Sequence, residues 1–409
     1  MLGWEYPPMI TGGLGVACEA ISRHLGLKGL RVVFFIPTGG HLHKKGVDVY
    51  GIDSLVLKQR GVKRIYIDSL LTPYLSEQSY REVYLKVLNI NRNRDIKKLY
   101  GPQLFEEIEL FTARVALLSR AFDFDIIHAH DWMTYPAGML LKKLTGKPLV
   151  VHIHATEFDR TGGHGVNPRV YEIEKQGFQT ADRIIAVSNY TKSILIEKYG
   201  IDPSKIVVVH NAMEPGGKYE KKIIKPSDKI VLFVGRITLQ KGPEYFIRAA
   251  KRVLEHDPNV KFVVIGTGDM EPRMIEEAAR LGISKHVLFG GFMPREEVMA
   301  AYRAADLYVM PSVSEPFGLT ALEAAIQGVP VIVSKQSGVS EVLNHALKVD
   351  FWDIEAMAQK ILAVLNYRTL NHMLRRHGRI EAMQQTWDRQ VDKIISVYRE
   401  VLSKNARAA

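Results

Sequence analysis

The sequence predicts an α/β protein built from two doubly wound parallel-sheet domains that face each other across a central cleft. Short apolar runs of strand length alternate with amphipathic helical stretches through nearly the whole chain, the pattern of parallel sheets covered on both faces. The alternation runs through two successive halves, separated by a stretch rich in proline, glycine and lysine that has no sustained period. A chain of 409 residues is also too long for one ordinary core.

The elements follow in order. Met1-Leu2-Gly3-Trp4 reads as the end of a first strand running into a loop, so either that strand is short or the true start lies upstream. Thr11-Gly12-Gly13-Leu14-Gly15 then opens a helix on which Leu14, Cys18, Ile21 and Leu25 share one face. Apolar runs at 31–36, 125–129, 149–152, 183–187 and 206–209 supply the first sheet. Residues 72–102 are polar and tyrosine-rich, either an insertion near the cleft or a surface excursion. The stretch 213–228, with Pro215, Gly216, Gly217 and Pro226, is the expected linker. Runs at 230–234, 261–265, 287–289, 307–310 and 329–333 repeat the theme. A final amphipathic helix begins near Trp387 and aligns Val391, Ile394, Ile395, Tyr398, Val401 and Leu402, with a polar tail after Lys404 expected to fray. The predicted organisation is a first domain over 1–212, a linker over 213–228, a second domain over 229–386 and a terminal helix over 387–409.

Composition bounds the partners. With 46% hydrophobic and 24% charged residues the chain reads as a globular protein, and no apolar run reaches membrane-spanning length. The single Cys18 excludes an intramolecular disulfide and, with no cleavable leader, points to a reducing cytoplasm. The net charge of +11 favours anionic partners, yet the basic doublets are scattered and no aromatic-rich RNA-binding signature accompanies them, so no nucleic acid is expected. No basic amphipathic helix with bulky apolar anchors marks a membrane face. Oligomeric state has no sequence signature here.

Several loops contain residues suited to a phosphorylated sugar. In Ser314–Glu323, Pro316 suits the first turn of a helix, and Leu319, Leu322 and Ile326 fall at helical spacing. Glu315 should therefore lie just outside the helix and Glu323 on it. A carboxylate accepts two hydrogen bonds from a vicinal diol, and the helix N-H groups suit a phosphate; for the segment alone, the reading of both glutamates as solvated residues favoured by the helix dipole stands ahead. Arg236 and Lys241 share the loop after the first strand of the second half, where a guanidinium and an ammonium can hold a diphosphate. The glycine turn at 12–15 could admit a phosphate but is neither a Walker loop nor a dinucleotide fingerprint, and Gly266-Thr267-Gly268 reads as a strand-to-helix turn. His128, His130 and Asp131 end one strand and His152 and His154 another, which raises a zinc site; with no further ligand cluster, a metal-free reading is preferred. Asp123-Phe124-Asp125 resembles an acidic metal pair but precedes its strand, which favours a turn.

Taken together, Trp4-Glu5-Tyr6-Pro7-Pro8 leading to Thr11–Gly15, His130-Asp131-Trp132, 152–157, Arg236 with Lys241, and Glu315 to Glu323 resemble, in that order, the retaining GT-B glycosyltransferases. The chain resembles glycosyltransferases group 1, and especially the glycogen and starch synthase-like branch. The resemblance implies two Rossmann-like domains, with Arg236 and Lys241 gripping the donor diphosphate and Glu323 binding the ribose. Glu315 would sit at the donor sugar, with backbone N-H groups of Phe317, Gly318 and Leu319 near its hydroxyls or phosphate. His154 would touch the sugar near the reacting centre, Asp131 would lie on the acceptor side, and Gly12 and Gly13 would close on the diphosphate. Ile10 stands where bacterial glycogen synthases place a lysine, which removes one phosphate contact.

The implied reaction is metal-independent transfer of glucose from ADP-glucose or UDP-glucose to the non-reducing end of an α-1,4-glucan, with retention and no cofactor. Rivals are a lipid, sucrose-type or other small acceptor, a sugar-nucleotide epimerase, and a non-catalytic sugar-nucleotide sensor.

Overall fold

The computed structural model describes residues 1–8, 13–52, 104–163, 165–214 and 228–408. Ile10 and Gly12, residues 72–102 and most of the predicted linker lie outside the described residues.

The first half forms β1 (Val32–Ile36), β2 (His41–Lys44), β3 (Val47–Gly51), β4 (Ile127–His130), β5 (Leu149–Ile153), β6 (Arg183–Ala186) and β7 (Ile206–Val208). Strands β4 to β7 pair in parallel in sequence order, while β3 pairs in parallel with β1 and antiparallel with β2. Leu2 joins the two ladders by bridging Phe35 on β1 and Ala129 on β4. Its N-H donates to His128 O at 2.8 Å and its C=O accepts from His130 N at 2.9 Å. The opening residues therefore act as a strand segment, as the sequence predicts. The β2–β3 hairpin is an addition: β2 is an exposed His-Leu-His-Lys with no apolar run to announce it.

The second half forms β8 (Lys229–Val234), β9 (Val260–Ile265), β10 (Val287–Gly291), β11 (Leu307–Met310), β12 (Val331–Ser334) and β13 (Leu347–Val349). All six are parallel in the order β10-β9-β8-β11-β12-β13. The order reverses between β8 and β11, the switch point at which such sheets open a crevice for ligands. Each sheet is covered on both faces by helices whose apolar sides fill the cores.

The terminal helix Trp387–Ala408 returns to the first domain. Trp387, Val391, Ile394, Tyr398 and Val401 pack with Leu14, Ile21, Val32 and Phe34, and Tyr398 Oη lies 2.5 Å from His128 Nδ1. Two expectations change here. Leu402 is 37% exposed, because the apolar stripe rotates off the core in the last turns, and the polar tail beyond Lys404 stays helical. A third correction concerns the helix Arg368–Gln384, whose outward face carries Met373, Ile380 and Met383 among arginines. In sequence no basic amphipathic helix with bulky apolar anchors is read here, but the fold turns these residues outward because the inward face is filled by Leu374, Gly378 and Ala382. Among the described residues no helix is long and apolar enough to cross a membrane.

Candidate active site

The loops after β8 and β11 flank the switch point of the second sheet and place the predicted donor residues together. The β8 loop runs through Gly235 and Arg236 to a short 3-10 turn, Leu239–Lys241. Ile237 N donates to Thr267 O at 3.0 Å, and a Cβ added at Gly268 would stand 2.3 Å from Ile237 O. The Gly266-Thr267-Gly268 turn is therefore a turn, as read, and it also lets the Arg236 loop lie directly on the end of β9. Arg236 is partly buried on that loop.

From the end of this loop Lys241 Nζ reaches Glu315 Oε2 at 2.5 Å, and Ser312 Oγ donates to the same oxygen at 3.1 Å. Glu315 is buried, and its backbone is fixed strand-fashion: its N-H donates to Gln336 O and its C=O accepts from Gly338 N. The helix does not begin at Pro316. It spans Leu319–Ile326 behind Gly318, which holds φ 110° and supplies no side-chain cap; Ala321 N donates to Gly318 O at 3.1 Å, and no side-chain oxygen from Gly318 caps the first turn. Pro316 stays in the loop because Phe317 and Gly338 continue the pairing with the neighbouring segment; Val339 N donates to Phe317 O.

Glu323 lies on the second turn of this helix, where Tyr302 Oη donates to it at 3.3 Å and Arg295 stands 3.8 Å away. Burial raises its carboxyl above the ordinary range, against the pull of Arg295. Sequence reading had not identified Tyr302 or Arg295. They sit on the helix Arg295–Ala304, and only the sheet order brings them to Glu323.

The first domain supplies the facing wall. Gly13, at the start of its helix, approaches so closely that an added Cβ would lie 3.3 Å from Leu319 Cδ1. Gly13 thus faces the start of the helix Leu319–Ile326 across the cleft. Asp131 follows β4 with φ 59° and ψ 164°, the only non-glycine residue at positive φ among those described. Its Oδ1 accepts from His154 N at 2.6 Å and its N-H donates to His152 O at 2.9 Å, which pins the turn after β5. It is buried beneath that turn, and burial pushes its carboxyl up to about 7 despite Arg160 and the backbone donors.

His154 Nε2 lies 3.0 Å from His130 Nδ1, and burial lowers its imidazole to about 3, so the ring is neutral. The buried rings of His128, His130, His152 and His154 stack with centroids 4.3–5.4 Å apart and interplanar angles of 7–30°. Three-residue sets of these groups, with Cys18, come near enough to be weighed as metal ligands. Lone pairs lie in ring planes, so stacked imidazoles aim them side by side rather than at one point, and the arrangement does not fit a tetrahedral site. Asp123 and Asp125 precede β4 and take no part.

Contacts across the cleft involve residues that sequence reading missed. Ser314 Oγ donates to Asp159 Oδ1 at 2.5 Å and shares a 2.9 Å hydrogen bond with Tyr190 Oη. Asp159 belongs to a capping box with Thr156, only a few residues beyond His154. Glu341 of the second domain accepts from Asn189 N, Tyr190 N and Asn189 Nδ2 and lies 2.8 Å from His210 Nε2. Burial disfavours its charge, but these partners prevail and hold its carboxyl below the ordinary range. The Thr156-Asp159 capping-box pattern was legible in sequence; its partner on the other domain was not.

Two opposed, largely parallel sheets, a cationic and acidic loop pair at the switch point and Gly13 facing a helix start define a GT-B glycosyltransferase. Comparison with known proteins agrees. The Glycosyltransferase Family 4 model matches residues 11–216, about half of the chain, and the Glycosyl transferases group 1 model matches residues 218–381. The chain belongs to this glycosyltransferase family. It is 30% identical to a D-inositol 3-phosphate glycosyltransferase of Segniliparus rotundus over 75% of this chain and 73% of that one. It is 26% identical to a glycogen synthase of Mycobacterium tuberculosis over 90% of this chain and 85% of that one. Its fold matches the sucrose-phosphate synthase of Thermosynechococcus elongatus with TM-score 0.76, at 18% identity and 98% coverage of both chains.

Proposed function

We propose that the chain transfers glucose from a nucleoside diphosphate sugar, ADP-glucose or UDP-glucose, to the non-reducing end of an α-glucan, retaining the anomeric configuration without a metal or cofactor. The observation that carries the donor half is the Lys241–Glu315 pair beside the uncapped start of the helix Leu319–Ile326, with Gly13 opposite. Breaking the glycosidic bond builds positive charge on the sugar and negative charge on the leaving diphosphate. In this reading Lys241, Arg236 and the helix N-H groups stabilise the leaving group. On binding, a diphosphate competes with Glu315 for the Lys241 ammonium, which frees the carboxylate to accept from sugar hydroxyls. Glu323 takes the ribose diol with one face of its carboxylate.

His154, a neutral ring held on the Asp131 corner, meets the donor sugar close to the reacting carbon. The acceptor attacks on the face from which the diphosphate leaves, and the departing phosphate oxygen takes the acceptor proton, so no protein nucleophile is needed. Closure of the two domains excludes water and suppresses hydrolysis.

A second reading, a small phosphorylated polyol as acceptor, is favoured by the higher identity to relatives named D-inositol 3-phosphate glycosyltransferase. One screen separates them: ADP-glucose and UDP-glucose are each incubated with glycogen, with inositol phosphate and with buffer. Acceptor-dependent release of nucleoside diphosphate with glycogen, and lengthened glucan, supports the first reading. Release only with inositol phosphate supports the second. A C2-epimerised donor sugar, or tight donor binding without turnover, would refute both.

A further inference from the structure

The helix Arg368–Gln384 presents a basic, partly apolar face to solvent. Its inward side packs Leu374, Gly378 and Ala382 on the second domain, and its outward side aligns Met373, Ile380 and Met383, which are 43%, 47% and 52% exposed. At 100° per residue these three fall within about 80° of one another, with Arg376 between them and Arg368, His372 and Arg379 along one flank. An apolar stripe of this kind, edged on one side by cations, differs from the scattered single apolar residues that any surface shows.

Charge pairing on this helix differs from that on two other helices of the same domain. On the helices Pro243–Leu254 and Glu271–Arg280 of the same domain the arginines are neutralised: Arg248 by Glu244 and Glu277, Arg252 by Glu255 and Glu355, Arg273 by Glu244, Arg280 by Glu277. On Arg368–Gln384 the one acidic residue is Glu381, and it is engaged inward by His345. Arg375 likewise turns inward, to Asn371 and Asp306. Among the described residues no carboxylate pairs with Arg368, Arg376 or Arg379. The outward face is thus a run of uncompensated positive charge around an apolar stripe.

From this we infer that the helix Arg368–Gln384 is a docking face for an anionic lipid surface, on which the arginines meet headgroup phosphates and Met373, Ile380 and Met383 enter the acyl boundary. Membrane-surface helices combine these two features. A nucleic acid or an acidic protein would use the cations but would gain little from three exposed side chains without a polar atom that pairs well. The length and polarity of the helix fit binding in the interface plane and not insertion. The inference is independent of the acceptor, since a peripheral enzyme can act on a soluble or a lipid-borne sugar.

The test is vesicle co-sedimentation of the full chain with phosphatidylcholine alone and with an equal mixture of phosphatidylcholine and phosphatidylglycerol. Two variants accompany it, R376E/R379E and M373S/I380S/M383S, with circular dichroism and thermal unfolding to establish that these exposed changes leave the fold intact. The expected result is salt-sensitive binding to the anionic vesicles only, weakened at least about tenfold in both variants. No binding by the parent chain overturns the inference. So does loss in the charge variant with normal binding by the apolar variant, because that marks a general polyanion surface; equal binding of all three proteins places any lipid contact elsewhere.

Discussion

At Asp131 the backbone occupies φ 59°, ψ 164°, a region that costs a non-glycine residue on the order of 1–3 kcal/mol. The strain persists because the residue is held at several points: its carboxylate by the His154 amide, its N-H by His152 O and its C=O by Thr134. Burial also moves its carboxyl up to about 7, so between the ordinary carboxylate range and that value the folded chain holds a proton the unfolded chain has released. A raised acid of this kind stabilises the fold below the unfolded pKa, and the contribution is lost as pH rises through about 7. Urea unfolding across this window should show stability falling with pH by up to about 1.4 kcal/mol per unit on account of this group. Asp131→Asn should remove that share, and identical pH slopes in the two proteins would disprove it. At the donor end, Lys241→Ala should lower kcat/KM by roughly 10²–10³-fold, the scale of losing one transition-state donor. Because the change also leaves Glu315 with Ser312 alone, a stability loss of about 1–3 kcal/mol is expected alongside. An active, equally stable variant would remove Lys241 from the donor site.

Among the elements, the terminal helix and the cross-cleft loops depend on contacts between distant parts of the chain. Ile394 is fully buried against the first domain, so Ile394→Ala should cost about 2–5 kcal/mol by chemical denaturation. A cost below 1 kcal/mol would mean that the helix is not part of that core. Glu341 bridges the domains through Asn189, Tyr190 and His210. Glu341→Ala should raise KM for the donor and enlarge the radius of gyration in solution scattering, because closure loses its carboxylate clamp. An unchanged profile would assign the clamp no part in closure. The buried parallel strands were legible because each is an apolar run, and Glu315, Glu323, Arg236 and Lys241 were legible because they fall on loops that follow such runs. The β2–β3 hairpin was not, since β2 has a single apolar residue, Leu42, and no apolar run. Nor were Ser314–Asp159 and Glu341–Asn189, whose partners are separated by over a hundred residues and meet only when the domains do. The start of the donor helix was misplaced because Pro316 satisfies a helix signal that backbone pairing between Glu315 and the 336–338 segment overrides.

For the whole molecule, the central claim is that two facing parallel-sheet domains close one donor site in which positive charge from side chains and a helix start replaces a metal. Stacking of His128, His130, His152 and His154 argues that these rings serve the first domain's core and the His154 corner, so chelation should leave turnover unchanged. The most direct measurement follows the anomeric proton of the transferred sugar by nuclear magnetic resonance while the enzyme works with ADP-glucose or UDP-glucose and its acceptor in EDTA, with Lys241→Ala as the control. The expected spectrum shows an α linkage appearing as the α-linked donor disappears, at a rate unaffected by EDTA and nearly abolished in the variant. A β-linked product, or turnover that stops in EDTA and returns with a divalent cation, would contradict the account.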